Sequence, residues 1–286
     1  MNPKNLSPLR YPGGKSKFSP YISSVIKSNS LTGGHYLEAY AGGAGVAINL
    51  LFNKVVSHVH INDVDPAINM FWKAAIYDTD NLTNLIFSTP INMEQWFYWR
   101  DVMNGNVKCT PTEIGFATLF MNRTNRSGIL KGGVIGGKNQ NGNYSLGDRF
   151  IKERIAERIK KISSFREQIS VYSLDAYDLL NQCSRLVPKN TLIYLDPPYY
   201  VKGQGLYRNF YNHEDHLAIS EKLQSKDFQY KWIVSYDNAP QIHEMYSNCQ
   251  HLNYKLRYTA QKNYAGEEIM FFSKDTALPQ QTEHIL

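Results

Sequence analysis

Along this chain short apolar runs alternate with longer stretches of helical spacing. Tyr36-Leu37 opens one run, which leads into the cluster Gly42-Gly43-Ala44-Gly45 and then a helix carrying Val46, Ile48, Leu50 and Leu51. Val59-His60-Ile61 is a second run, closed by Asn62-Asp63-Val64-Asp65-Pro66. Pro66 suits the first turn of a helix, where its missing N–H is not needed. Residues 67–123 read as mostly helical, with Phe71, Trp72, Trp96, Phe97, Tyr98 and Trp99 among them. Residues 124–149, rich in glycine and polar side chains, predict an exposed irregular loop or hairpin. Phe150, Ile151, Ile155, Ile159 and Ile162 then recur between Lys, Glu and Arg, an amphipathic helix of about three turns. Strands are expected over 169–172, 192–195, 230–235 and 268–273, and helices over 213–224 and 239–246. Residues 276–286 read as a loose tail. Such alternation predicts an α/β fold around a mainly parallel sheet.

Composition narrows the class. With 286 residues, 42% of them hydrophobic, the chain can form one large α/β domain or one domain with a sizeable insertion. Thirty-one Lys and Arg against 25 Asp and Glu give a net charge of +6, compatible with nucleic-acid binding without establishing it. Cys109, Cys183 and Cys249 form no CxxC pair, which points to reduced thiols in a reducing compartment. The N-terminal stretch has no apolar signal core, and no segment approaches the roughly 18 apolar residues of a membrane span. A cytoplasmic protein is expected.

The most informative residues are Asp196-Pro197-Pro198-Tyr199, directly after the apolar run Leu192-Ile193-Tyr194-Leu195. That run reads as a buried parallel strand, and ligands of open α/β sheets bind at the carboxyl ends of such strands. Two prolines stiffen the turn and donate no N–H, so its carbonyls are left to accept. Fixed acceptors beside an aromatic ring suit a planar ring with an exocyclic amino group, such as a nucleobase. Upstream, Glu38-Ala39-Tyr40-Ala41-Gly42-Gly43 ends the first strand, and Asp63 follows Gly43 by 20 residues. Glycines let backbone approach a ligand at a helix start, and a carboxylate after the second strand can hold ribose hydroxyls. An ordinary strand–helix turn with a capping Asp is the plainer account of the same residues. GxGxxG is not matched, so a ribosylated adenine cofactor is indicated more broadly than a nicotinamide.

Other features are weaker. Gly14-Lys15-Ser16 looks like the end of a phosphate loop, but Leu9 stands where that loop needs glycine. As a glycine turn, Tyr11 to Lys15 could close over a cofactor carboxylate or simply lie on the surface. His213-Glu214-Asp215-His216 has histidines three apart, yet solvated charge at a helix start is the better account. Asn122, Arg123, Asn125, Arg126, Lys138 and Asn141 are residue types that pair with base edges and phosphates, though a solvated loop would also carry them.

Taken together, these motifs resemble the Dam-type (D12 class) DNA adenine-N6 methyltransferases, over residues 8 to about 273 and in the family's order. Tyr11-Pro12-Gly13-Gly14-Lys15 is similar to the N-terminal cofactor motif, with Tyr11 where the family often has Trp. Glu38 to Gly43 resembles the glycine-rich cofactor loop, with Ala39 and Tyr40 in place of Pro and Phe. Asn62-Asp63-Val64-Asp65 resembles the ribose-binding motif and Ser173-Leu174-Asp175 the adenine-recognition motif; Asp196 to Tyr199 matches the catalytic motif unchanged. Phe120-Met121-Asn122-Arg123 with Asn125 and Arg126 is similar to the start of the DNA-recognition region, whereas the loop at 131–147 departs from the pattern associated with GATC.

The resemblance implies a Rossmann-like methyltransferase sheet with helices on both faces and a smaller helical and hairpin DNA-recognition insertion. It implies a catalytic part over 1–66 and 165–275, an insertion over 67–164 and a tail over 276–286. S-adenosylmethionine is the implied cofactor and S-adenosylhomocysteine the product, with no metal, and double-stranded DNA is the implied partner in a prokaryotic or phage-encoded setting. A cognate restriction endonuclease acting separately fits the same picture. Asp196, Pro197, Pro198 and Tyr199 are the implied catalytic residues, acting on a flipped adenine. Tyr11, Lys15, Glu38, Tyr40, Gly42, Gly43, Asp63 and Asp175 are the implied cofactor residues. The alternatives are a methyltransferase on cytosine N4, RNA adenine or protein glutamine, and a non-catalytic DNA-binding relative. Asp at 196 favours adenine, since Ser is common there for cytosine and Asn for glutamine.

Overall fold

The computed structural model describes residues 6–10, 14–200, 211–258 and 264–279. Two compact units divide them, one from the described parts of Lys15–Val64 and Tyr172–Leu286, the other from those of Leu6–Gly14 and Asp65–Val171. The second unit thus takes in residues 6–10, 14, 65–66 and 165–171, which the sequence placed with the catalytic part.

In the first unit the chain runs from α1 (Ser19–Ser28) to β1 (His35–Glu38), α2 (Gly45–Phe52) and β2 (His58–Asn62). It leaves for the second unit through α3 (Pro66–Tyr77), α4 (Thr79–Ser88), α5 (Met93–Met103), α6 (Pro111–Thr124) and α7 (Lys152–Ser163). β3 (Ile169–Tyr172) brings it back to α8 (Ala176–Leu186), β4 (Thr191–Leu195), α9 (His213–Gln224), β5 (Lys231–Asp237), α10 (Pro240–Met245), β6 (Gln250–Tyr258) and β7 (Tyr264–Phe272).

These strands form a seven-stranded sheet in the order β3-β2-β1-β4-β5-β7-β6. β4 is its middle strand, parallel to β1 and β5, and every residue of its TLIYL run is buried. Alternation sorts side chains between the faces. Leu37, Ile193, Leu195 and Val234 pack under α8, α9 and α10 through Leu179, Leu180, Ile219, Leu223 and Ile242. On β1 and β4 the intervening positions are Tyr36 and Tyr194, whose rings stack 6.5 Å apart.

The sheet is mixed. β7 runs antiparallel to β5, and β6 is paired to β7 from Gln250↔Phe272 to Tyr258↔Tyr264. β6 is additional to the strands expected from sequence. Leu252, Tyr254, Leu256 and Tyr258 alternate with polar residues there, the period of a strand at a sheet edge. α8 is likewise additional, with Leu179, Leu180 and Cys183 buried at helical spacing.

The second unit is built around α6, which contacts α3, α4 and α5. Pro111 opens that helix inside a capping box of Thr110 and Glu113. Its core is aromatic: Trp99 meets Phe116 at 4.8 Å, and Phe120 meets Phe150 at 5.4 Å. α7 buries Ile155, Ala156, Ile159 and Ile162 and begins at Lys152, leaving Ile151 45% exposed ahead of it.

Gly115 lets α6 lie close against α3, for a Cβ there would stand 2.8 Å from the Met70 carbonyl oxygen and 3.1 Å from Ala74 Cβ. Alanine gains about 1 kcal/mol in helix propensity over glycine, while overpacking costs about 1–3 kcal/mol. The obstacle is helix backbone, so overpacking wins. Gly115→Ala is expected to lower the urea midpoint of unfolding, against the helix-propensity trend.

Candidate active site

Strand order in the sheet reverses between β1 and β4, and such a switch point opens a crevice at the carboxyl ends of the strands. Glu38 ends β1 and Asp196 follows β4 there. After Glu38 the backbone turns sharply: Ala41 N–H donates to the Asn62 carbonyl and Gly42 N–H to Asp63 Oδ2, both at 2.8 Å. Ala44 caps α2 in the left-handed region at φ 44°, a conformation costing about 1–2 kcal/mol for a residue with a Cβ.

Glu38 is buried, and its Oε2 accepts the Ala47 N–H in the first turn of α2 at 3.3 Å. Burial pushes its carboxyl up to about 8, the Ala47 bond opposes this, and Asp196 adds to it. Asp63 is half-buried after β2. Asp175, half-buried after β3, caps α8 by accepting the Tyr177 N–H at 2.8 Å. Its other oxygen accepts from the Tyr211 hydroxyl at 3.3 Å, and Tyr40 donates to that hydroxyl at 3.1 Å. Four of the expected cofactor residues, Glu38, Gly42, Asp63 and Asp175, thus stand after three successive strands of the sheet. Gly43 is buried in the turn, and Tyr11 lies outside the described residues.

Lys15 has a different setting from the cofactor turn expected for it. Its ammonium is buried, 2.9 Å from Glu268 Oε2 and 3.4 Å from Asp196 Oδ1. It also lies 3.4 Å from the Tyr199 hydroxyl, and 5.6 Å from the centre of that ring. Burial opposes the charge on Lys15, but Asp196 and Glu268 together raise its pKa. The Asp196 side chain keeps 26% exposure, whereas Pro197, Pro198 and Tyr199 are buried. Burial pushes the Asp196 carboxyl up to about 6, Lys15 holding it down and Glu268 holding it up.

Glu268 is the group missed in the sequence. It lies on β7 at 1% exposure and accepts from the Tyr199 hydroxyl at 2.5 Å, the Tyr254 hydroxyl at 2.6 Å and Lys15. The available signal was a carboxylate in register with Met270 and Phe272, on the inward side of a strand otherwise apolar. Asp237, opposite Glu268 on β5, accepts the Tyr200 N–H at 2.8 Å and so fixes the backbone after the motif.

In the second unit the expected DNA-contacting residues separate into two groups. Asn122, Arg123 and Asn125 are committed to the fold. Asn122 donates to the carbonyls of Arg10 and Gly128 at 2.8 Å and accepts the Arg10 N–H at 2.7 Å. Asn125 holds the carbonyls of Ile129 and Leu130 and accepts the Trp96 indole N–H at 2.8 Å. Arg123 donates from Nε to the Pro8 carbonyl at 2.7 Å. Arg126, Lys138 and Asn141 are exposed. The region holding them is folded back on itself, with Arg126 N–H donating to Gly133 and Ile135 N–H to Thr124, both at 2.9 Å.

His213 and His216 do not form a pair of ligands. His213 meets the Tyr200 hydroxyl at 2.9 Å, and His216 is a core residue against the Tyr236 hydroxyl, its pKa lowered by burial to about 4. Among the described residues no group of three or more His, Cys, Asp or Glu is placed to hold a metal, and no helix is long and apolar enough to cross a membrane.

The mixed seven-stranded sheet, with carboxylates along its switch point, is a Rossmann-like α/β framework. Over residues 11–260 the sequence matches the D12 class N6 adenine-specific DNA methyltransferase family, and the chain belongs to that family. It is an enzyme whose cofactor is S-adenosylmethionine and whose substrate is DNA. No curated protein matches the sequence. Among solved structures, a putative RNA methyltransferase from Pyrococcus horikoshii is 10% identical, covering 95% of this chain and 89% of its own, with a TM-score of 0.42. A putative class I S-adenosylmethionine-dependent methyltransferase from Listeria monocytogenes is also 10% identical, covering 93% of this chain and 62% of its own, with a TM-score of 0.40.

Burial of Glu38 has a consequence for stability. Its pKa is about 8 in the folded protein against an ordinary 4.5, so folding retains a proton that the unfolded chain releases. That contribution is complete below about pH 4.5 and is lost as pH rises towards about 8, with a slope of at most about 1.4 kcal/mol per pH unit. Urea unfolding across this window is expected to show stability falling with pH in the wild type and a flatter profile in Glu38→Gln.

Proposed function

We propose that the protein methylates N6 of an adenine turned out of duplex DNA, with Asp196 and the Pro197 carbonyl as acceptors and Tyr199 as the stacking ring. The observation carrying this reading is the combination at the end of β4: a partly exposed carboxylate beside an aromatic ring whose hydroxyl is tied to Glu268. Adenine N6 is hidden inside a duplex, so the base must leave the stack to reach such a site. A ring held through its hydroxyl gives a fixed wall for the base. Two acceptors for the N6 hydrogens draw the nitrogen towards tetrahedral geometry and free its lone pair from the ring.

The donor set fits the cofactor's chemistry. Acidic side chains at Asp63 and Asp175 suit ribose hydroxyls and an adenine amino group, and the tight turn at Gly42 and Gly43 lets backbone come close. Glu38 and Tyr40 complete that end of the crevice. Bound S-adenosylmethionine supplies an electrophilic sulfonium methyl. Positive charge would pass to N6 as the new N–C bond formed and the sulfonium S–C bond broke, with S-adenosylhomocysteine as the leaving thioether, and Asp196, already in place, would stabilise it without reorganisation. The N6 proton then departs through Asp196 to solvent. We assign Lys15 to this transfer end, since two carboxylates already occupy its ammonium. The exposed Arg126, Lys138 and Asn141 are the side chains we assign to DNA recognition in the second unit.

Asp196→Ala is expected to lower methyl transfer from labelled cofactor by at least about 100-fold, while calorimetry shows the cofactor still binding. A near-normal rate would count against the assignment. Nucleoside analysis of the product should give N6-methyladenine; N4-methylcytosine would redirect the reading. Asp196 must be ionised to accept, so kcat/KM is expected to fall on the acid side with an apparent pKa of about 6. Glu268→Gln removes the charge that raises that pKa, so the acid limb should move to lower pH while kcat drops as Tyr199 loosens. An unmoved limb would leave Glu268 a merely structural group.

A further inference from the structure

The second unit gathers arginines that form no ion pair among the described residues, with only the exposed Asp148 acting on Arg149 and Glu157 on Arg158. The segment Ser7–Arg10 is pinned by side chains of α6 and α7: Arg123 Nε donates to the Pro8 carbonyl at 2.7 Å, with its Nη2 on the same oxygen, and Arg158 Nη1 donates to the Ser7 carbonyl at 3.1 Å. Asn122 brackets the Arg10 backbone from both sides. Three guanidinium groups are thereby attached to or gathered along four consecutive residues.

Two more adjoin them. Arg149 stands near enough to Arg10 to repel its charge, and Arg154 does the same to Arg123 and Arg158. Burial first, and then Arg158, Arg10 and Arg154, push the Arg123 guanidinium down to about 10. Glu157 is the one acidic group acting on Arg158. None of the five forms an ion pair among the described residues. Arg10 Nη1 is buried and has no hydrogen-bond partner among the described residues. Arg149 and Arg154 are exposed, and Arg10 and Arg158 half-buried.

Like charges crowded in this way repel one another, and an anion at the exposed Arg149 and Arg154 would relieve that repulsion. Guanidinium forks match phosphate oxygens, and several of them on one side of a unit match a chain of phosphates better than one ion. We propose that Arg10, Arg149, Arg154 and Arg158, organised around Arg123, form a sequence-independent phosphate-binding face for the DNA backbone. Its residues differ from the exposed recognition residues Arg126, Lys138 and Asn141. The proposal rests on the protein acting on duplex DNA. Arg123 has a positioning part, since its own donors already hold Pro8.

The test uses the full chain and labelled duplexes of random sequence, because phosphate contact needs no recognition site. Arg149→Ala, Arg154→Ala and the double variant are titrated by fluorescence anisotropy between about 50 and about 200 mM salt, with Lys27→Ala in α1 as a charge-matched control. Each arginine variant is expected to weaken binding to all duplexes alike and to make the slope of log K against log salt shallower by about one. Their thermal midpoints should match or exceed the wild type, because repulsion is relieved. An unchanged slope in the double variant overturns the proposal, and so does an equal change in Lys27→Ala. Labelled-methyl transfer by the wild type on unmethylated genomic DNA, which offers every short sequence, tests the other reading separately: steep salt dependence on the random duplexes without transfer to genomic DNA spares the phosphate face and removes the methylation assignment.

Discussion

The candidate site depends on one buried ammonium. Taking Lys15 out of water is costly, and the cost is offset only because Asp196 and Glu268 stand on either side of it. The dependence is mutual. Glu268, at 1% exposure, is itself tolerable only with Lys15 and two tyrosine hydroxyls around it. Removing one partner of such a pair leaves an uncompensated charge, a loss of about 3–5 kcal/mol. The Lys15 turn, the end of β4 and the β6–β7 pair are therefore joined electrostatically as well as through apolar contacts such as Phe18 with Tyr254 at 4.9 Å.

This arrangement explains why the residues of the DPPY motif behave unequally. Asp196 touches Lys15 yet stays partly exposed, so it can meet a substrate. Tyr199 is buried and its hydroxyl is committed, so what remains for ligand chemistry is the ring. Pro197 and Pro198 keep the two groups at constant separation. The turn after β4 thus supplies both a polar and an aromatic group.

Much of this was legible in the residues. The apolar run before Asp196, the glycine turn after β1 and the acidic residues after β2 and β3 follow from period and turn chemistry, which are local. Glu268 was not, because its partners lie 253, 69 and 14 residues away and only the assembled sheet brings them together. Asn122, Arg123 and Asn125 show the opposite difficulty. Their types suit a nucleic acid, but side-chain direction is set by the helix end and by nearby carbonyls that need donors. β6 escaped notice because an edge strand carries half the apolar signal of a central one.

The short segment from Ser7 to Arg10 belongs to the second unit although Lys15, a few residues on, belongs to the first. Gly128 lies so close beneath it that a Cβ would stand 2.2 Å from the Arg10 carbonyl oxygen. The second unit is consequently not a contiguous cassette. A graft of 65–171 onto another catalytic framework would leave Arg123, Arg158 and Asn122 without the carbonyls of Pro8, Ser7 and Arg10, unless the N-terminal segment travelled with it. Any transplant of this unit must therefore move two distant stretches of the chain together.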